Sequence, residues 1–150
     1  MTATIRGHAM RPGTPCHFLG ATGCTIYDER PHDPCRTFFC AWRLQGNPFP
    51  DAFRPDRIGA IVLALRWRDR VAYCLVTDGR EPDAGMLDWM RAHSSATGTP
   101  FLVRLAGRDR AYGPLKFQQD VQERAARGAP LLDGLPPPTG LVKVVVRPGG

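Results

Sequence analysis

Lysine is almost missing from this 150-residue chain: Lys116 and Lys143 stand alone among 20 basic residues. Arginine supplies the rest of a net charge of +6. The arginines run from Arg6 to Arg147 with Asp interleaved, as in Arg68-Asp69-Arg70 and Arg108-Asp109-Arg110. No block of like charge is long enough to act as a nucleic-acid arm, and the arginine excess matches the composition of a GC-rich genome. Long apolar runs are missing too. Ile58 to Leu65 is the longest candidate, far short of the roughly 18–20 residues that span a bilayer. The N-terminus lacks a basic head followed by an apolar stretch, so no secretory signal is expected. Gly-rich phosphate loops of the G-x-x-x-x-G-K-[ST] or G-x-G-x-x-G type are absent. With 43% hydrophobic and 23% charged residues, wholesale disorder is excluded. The expectation is a soluble cytoplasmic protein about one domain in size.

Cysteine is present and unevenly placed. Four of five fall within 25 residues, as Cys16-x7-Cys24-x10-Cys35-x4-Cys40. A reducing compartment disfavours disulfides, which leaves metal binding as the better reading. Four thiolates can close a tetrahedral zinc shell or hold an iron–sulfur cluster. Neither a CxxC…CxxC zinc pattern nor a ferredoxin run is present, and unligated thiols are the alternative. Gly20 and Gly23 give the approach to Cys24 conformational freedom. Arg36 follows Cys35 directly, where a guanidinium offsets thiolate charge. His17 and His32 could each replace a cysteine, although a solvent-facing or hydrogen-bonded histidine fits them better. Cys74 sits in the apolar stretch Val71–Val76 and reads as a small buried hydrophobe.

The chain divides by composition. Residues 1–15 read as a loose flexible tail. Residues 16–57 hold the four cysteines, five prolines and seven aromatics, a loop-rich segment that would gain from a metal staple. One or two helical turns are expected within Cys35–Arg43. From 58 to 150 the pattern is α+β. Ile58–Leu65 and Val71–Val76 read as a hairpin across Arg66–Arg70. Asp83 caps a helix running to about Ala96, with Gly98 as its stop. Pro100–Leu105 is a strand, with a reversal read at Gly107–Arg110. Pro114 opens a helix to about Arg127, Pro136–Pro138 is a stiff linker, and Leu141–Val146 is a final strand. The expected order is β-β-α-β-α-β, a small mixed sheet with two helices, compact with the cysteine segment. The similarity of Arg68–Tyr73 to Arg108–Tyr112 hints at a duplicated hairpin–helix unit, although the flanking residues differ.

Cys16-His-Phe-Leu19, Gly23-Cys24-Thr-Ile-Tyr27, Arg30-Pro31, Cys35-Arg36 and Phe39-Cys40, in that order, resemble the YkgJ-type family of zinc- or iron-chelating cysteine-cluster proteins. The resemblance covers about 25 residues. It implies a small cytoplasmic metal-binding protein with no settled reaction. By it, Cys16, Cys24, Cys35 and Cys40 are the ligands, with Tyr27, Arg30, Pro31 and Arg36 around them. The chain departs from the family in having no cysteines upstream of Cys16 and three residues, not two, between Arg30-Pro31 and Cys35-Arg36. A reduced ligand set argues for one mononuclear site.

No catalytic constellation is recognised. Ser94 and Ser95 next to His93 read as a polar helix end rather than a nucleophile with its base. Asp28, Glu29 and Asp33 near the cysteines read as solvated acids. Trp67 and Tyr73 with Arg66, Arg68 and Arg70 could stack single-stranded nucleic acid, but a cross-strand aromatic pair with solvated arginines fits better. The leading expectation is therefore a four-cysteine metal site, structural, zinc before iron, with the β/α part binding a protein partner or presenting the site. Iron or iron–sulfur redox and metal handling is the second reading, and a basic nucleic-acid-binding module the third.

Overall fold

Residues 3–11, 14–105 and 108–135, with the backbone of 141–144, are described by a computed structural model. Two small antiparallel hairpins come first: β1 (Thr4–Ile5) with β2 (His8–Ala9), and β3 (Leu19–Gly20) with β4 (Gly23–Cys24). The expected loose tail thus holds a hairpin, anchored by buried Ile5. Three single helical turns follow, at His32–Arg36, Ala41–Arg43 and Asp51–Phe53. Pro31, Pro34, Pro48 and Pro50 interrupt the backbone donors between them and prevent a longer helix.

The one-turn helix α1 (Pro55–Ile58) ends at Gly59, whose φ of +59° is left-handed. There the Arg80–Asp78 ion pair lies so close that a Cβ would collide with both side chains, so glycine is required twice over. Beyond it lie β5 (Ala60–Trp67), β6 (Arg70–Thr77), α2 (Ala84–Thr97), β7 (Phe101–Leu105), β8 (Arg108–Tyr112), α3 (Leu115–Ala126) and β9 (Leu141–Val144). These five strands form one mixed sheet in sequence order. β5–β6 and β7–β8 are antiparallel hairpins, while β6–β7 and β8–β9 are parallel pairs joined across a helix. The fold is α+β.

The caps behave as their chemistry dictates. Asp83 accepts from the Met86 N–H at 2.8 Å, and Gly98 closes α2 with a φ of +73°. The observed order, β-β-α-β-β-α-β, has one strand more than expected. Arg108-Asp-Arg reads as a polar reversal, yet Asp109 and Ala111 point inward and Asp109 is neutralised by Arg104 across the register. β9 is described over Leu141–Val144; residues 145–146 and the Pro136–Pro138 linker lie outside the described residues.

Strand alternation sorts the apolar side chains onto two faces. Val62, Leu75, Phe101, Val103, Leu105 and Tyr112 meet Met86 and Met90 of α2 on one face. Leu63, Trp67, Ala72, Cys74, Leu102 and Ala111 meet Phe117 and Val121 of α3 on the other. β6 and β8 run in opposite directions, and both crossovers step the same way across the sheet. Crossovers of one hand must then place their helices on opposite faces, as found. The sheet is a hairpin–helix unit used twice, although the two Arg-Asp-Arg stretches are not equivalent: Arg68 and Asp69 lie in the β5–β6 turn, and Arg108 and Asp109 lie within β8. Cys40, Ala41, Phe49 and Phe53 complete the α2 face, so the second half of the proline-rich segment belongs to the core.

Candidate metal centre

Cys16 and Cys24 flank one hairpin. The Leu19 N–H donates to the Cys16 carbonyl at 2.9 Å, and Leu19 pairs with Cys24 in the β3–β4 register. The Thr25 N–H and hydroxyl both donate to the Phe18 carbonyl, at 2.8 and 3.1 Å, fixing the base of that hairpin. Cys35 arrives from the other side. Arg36 Nε donates to the Arg30 carbonyl at 3.2 Å and its Nη2 to the Asp28 carbonyl at 3.1 Å. Arg30 in turn lies over the Tyr27 ring, 3.7 Å from its centroid, and donates to the Tyr27 carbonyl at 2.6 Å. These bonds fold the Cys35 turn back onto the hairpin.

The thiols feel one another. Burial pushes the Cys35 thiol up, negative charge at Cys16 and Cys24 pushes it further, and the Arg30 guanidinium opposes both. The cation acting on Cys35 is thus Arg30, not the adjacent Arg36, which is occupied with carbonyls. Among the described residues no group of three or more His, Cys, Asp or Glu side chains is drawn close enough to hold an ion as it stands. His17 stacks on His8, ring centroids 3.5 Å apart, with Phe18 edge-on to both. His32 is exposed.

Cys40 stands elsewhere. It is buried in the α2-side core, and its Sγ accepts the Val62 N–H at 3.2 Å, satisfying a donor of the edge strand β5. Cys74 is a buried small side chain, as expected, with burial pushing its thiol up to about 12. None of the five cysteines is in a disulfide.

The other sites considered from sequence come apart. The Ser95 hydroxyl donates to the Arg91 carbonyl at 2.7 Å, the Ser94 hydroxyl is buried, and the His93 ring stacks on Trp89 at 4.9 Å. Neither serine is paired with that imidazole as nucleophile with base. Trp67 and Tyr73 are not a cross-strand pair: Trp67 opposes Arg70, and Tyr73 opposes Ala64. Residues an even number apart share a face only within one strand. Here the hairpin turn intervenes, and Trp67 enters the α3-side core while Tyr73 packs on Phe49 and Phe101 of the α2 side. A common stacking surface is thereby lost. Among the described residues, no helix is long and apolar enough to cross a membrane.

The chain matches no family model, no curated protein and no solved structure.

Proposed function

We propose that this is a small cytoplasmic metal-binding protein in which Cys16, Cys24 and Cys35 are the thiolate ligands, zinc before iron. What supports the reading is that negative charge at Cys16 and Cys24 opposes ionisation of the Cys35 thiol, while the β3–β4 hairpin and the Arg36 bonds order the backbone that carries them. A divalent cation relieves that repulsion. It also supplies an ordering force to a stretch with little core of its own, because metal-binding free energy is folding free energy in such segments. Thiolates suit zinc, and a tetrahedral ion with three protein ligands keeps its fourth place for a donor from outside the trio. Cys40, the fourth cysteine of the sequence pattern, could join only by giving up its bond to Val62. We therefore assign it to the core.

Elemental analysis and zinc titration of single variants test this. Purified protein should carry one zinc per chain, without the visible absorption of iron–thiolate. Cys16→Ser, Cys24→Ser and Cys35→Ser should each weaken zinc at least tenfold while leaving metal-free stability unchanged. Cys40→Ala should keep zinc and lose about 1–3 kcal/mol, because the Val62 N–H is left unpaired. Metal-free protein, or full zinc affinity in Cys24→Ser and Cys35→Ser, would refute the assignment.

A further inference from the structure

Ala3, Met10, Arg11 and Thr14, with the hairpin after them, roof a cavity of about 480 Å³ over the end of β5 and β6. That volume lies in the range of small-molecule sites, roughly 300–1,000 Å³. Its walls are mainly apolar: Ile61 and Leu63 from β5, Val76 from β6, and Leu135 beneath α3. Charged groups ring the apolar walls, and most are already balanced. Asp56 is paired with Arg54 at 3.1 Å, and Asp78 with Arg80 at 2.6 Å. Arg104 is paired with Asp109 at 3.0 Å. Arg11 is the exception: among the described residues no carboxylate pairs with it. The wall therefore carries one unbalanced positive charge beside a greasy interior.

We propose that this cavity binds a monocarboxylate with an unbranched hydrocarbon body, the chain lying against Ile61, Leu63, Val76 and Leu135 and the carboxylate meeting Arg11. A neutral apolar ligand would leave the Arg11 charge unanswered, and a dianion would bring a second negative charge to a lining whose other charges are already paired. Arg80 and Asp78 pair over Gly59 at one edge of the opening. Cys16 contributes to the wall, but no part of this argument needs a metal there, so the inference stands apart from the proposed zinc site.

Calorimetric titration of the full chain with octanoate, octanol and octylamine, with amide shifts mapped by NMR, tests the proposal. Octanoate should bind and shift the amides of Ile61, Leu63 and Val76. Octanol should bind about tenfold more weakly, the worth of one charge-assisted hydrogen bond at a half-open site, and octylamine more weakly still. From hexanoate to decanoate each methylene should tighten binding about fourfold. Arg11→Gln, an exposed change that leaves the fold alone, should bring octanoate down to the level of octanol. Equal binding of acid and alcohol, a flat chain-length series, undiminished octanoate binding by Arg11→Gln, shifts that map away from β5 and β6, or no binding at millimolar octanoate would each overturn it.

Discussion

Residues 3–37 and residues 60–135 are held together by different forces. Before Cys40, Ile5 and Pro34 are the only buried residues among those described. Order there comes from two-residue strands and from arginines donating to carbonyls, Arg30 to Tyr27 and Arg36 to Asp28 and Arg30. From Ala60 onward, each face of a five-stranded sheet is covered by a helix, and buried side chains from α2, α3 and both hairpins interlock. Burial of apolar area at roughly 25 cal/mol per Å² can order the second region and not the first. The metal proposed for Cys16, Cys24 and Cys35 would add an ordering force that this stretch otherwise lacks. The physical boundary falls near Phe38–Cys40, where the chain dives into the α2-side core, and not at the change of composition near Arg57.

The sharpest break in this contrast is expected at the buried ion pair. Arg104 and Asp109 are 3% and 4% exposed and joined by two bonds, at 3.0 and 3.2 Å. Burial pushes the Asp109 carboxyl up, and the Arg104 bond and charge only partly bring it back. A carboxyl raised in the folded state contributes most below its unfolded pKa and loses that contribution as pH rises through the folded value, so at neutral pH its charge is a cost. Asp109→Ala should still destabilise by about 3–5 kcal/mol, because it removes one partner of a buried ion pair, whereas Arg104→Met with Asp109→Leu should recover most of the loss. Urea midpoints of the two variants and the parent decide this. Zinc affinity should be the same in all of them. If it fell in parallel, the two regions would not be independent.

Next in size is a pair of aromatic truncations on either side of the proposed boundary. Phe49 is 8% exposed and has Phe53, Tyr73, Trp89 and Phe101 within 6.3 Å, ring to ring. Phe39 is 62% exposed, with Arg43 5.9 Å above it. Phe49→Ala should cost about 3–5 kcal/mol and Phe39→Ala less than about 0.5 kcal/mol. Comparable losses would mean that residues 3–39 are packed more firmly than their burial indicates.

The second region could be read in advance because its periodicity and caps agree. Asp83 three residues ahead of the Met86 amide and glycine at 98 each point to one local structure and are found, whereas the strand expected at Ile58–Leu65 lies two residues later, at Ala60–Trp67, because Ile58 closes α1 and Gly59 turns left-handed. β8 escaped because a strand bearing Arg, Asp and Arg looks solvated until its partner strand supplies Arg104; that is long-range information. Trp67 and Tyr73 escaped because two aromatic residues near one hairpin do not reveal their register across the turn. In the first region, the sequence showed the thiols close along the chain, and it showed Cys74 as a buried small side chain, which is found. That Cys40 would be spent on the Val62 amide was not, since nothing local to Phe39-Cys40 encodes a contact 22 residues away. The cavity at Arg11 left no trace in the sequence, being assembled from segments far apart along the chain.

The smallest effect worth measuring asks whether a polar clamp matters less where a core already exists. Asp120 of α3 accepts from Trp67 Nε1 at 2.9 Å and from Arg68 Nε and Nη2 at 3.0 and 3.2 Å, tying the β5–β6 turn to the helix. Partial burial pulls its carboxyl up, but the bonds from Trp67 and Arg68 outweigh that and hold it below the usual carboxylate range. A depressed carboxyl stabilises the fold above its unfolded pKa of about 4, and that stability is lost as pH falls through the folded value. Asp120→Asn should therefore cost about 1 kcal/mol at pH 7, a modest figure because Arg68 is half-exposed and the pair is screened. The gap between variant and parent should shrink as urea midpoints are followed downward from about pH 4, with both proteins converging once the carboxyl is protonated. A loss of several kcal/mol at pH 7 would mean that the hairpin tip depends on this clamp as the cysteine segment depends on its arginines, and the contrast between the regions would fail at that point.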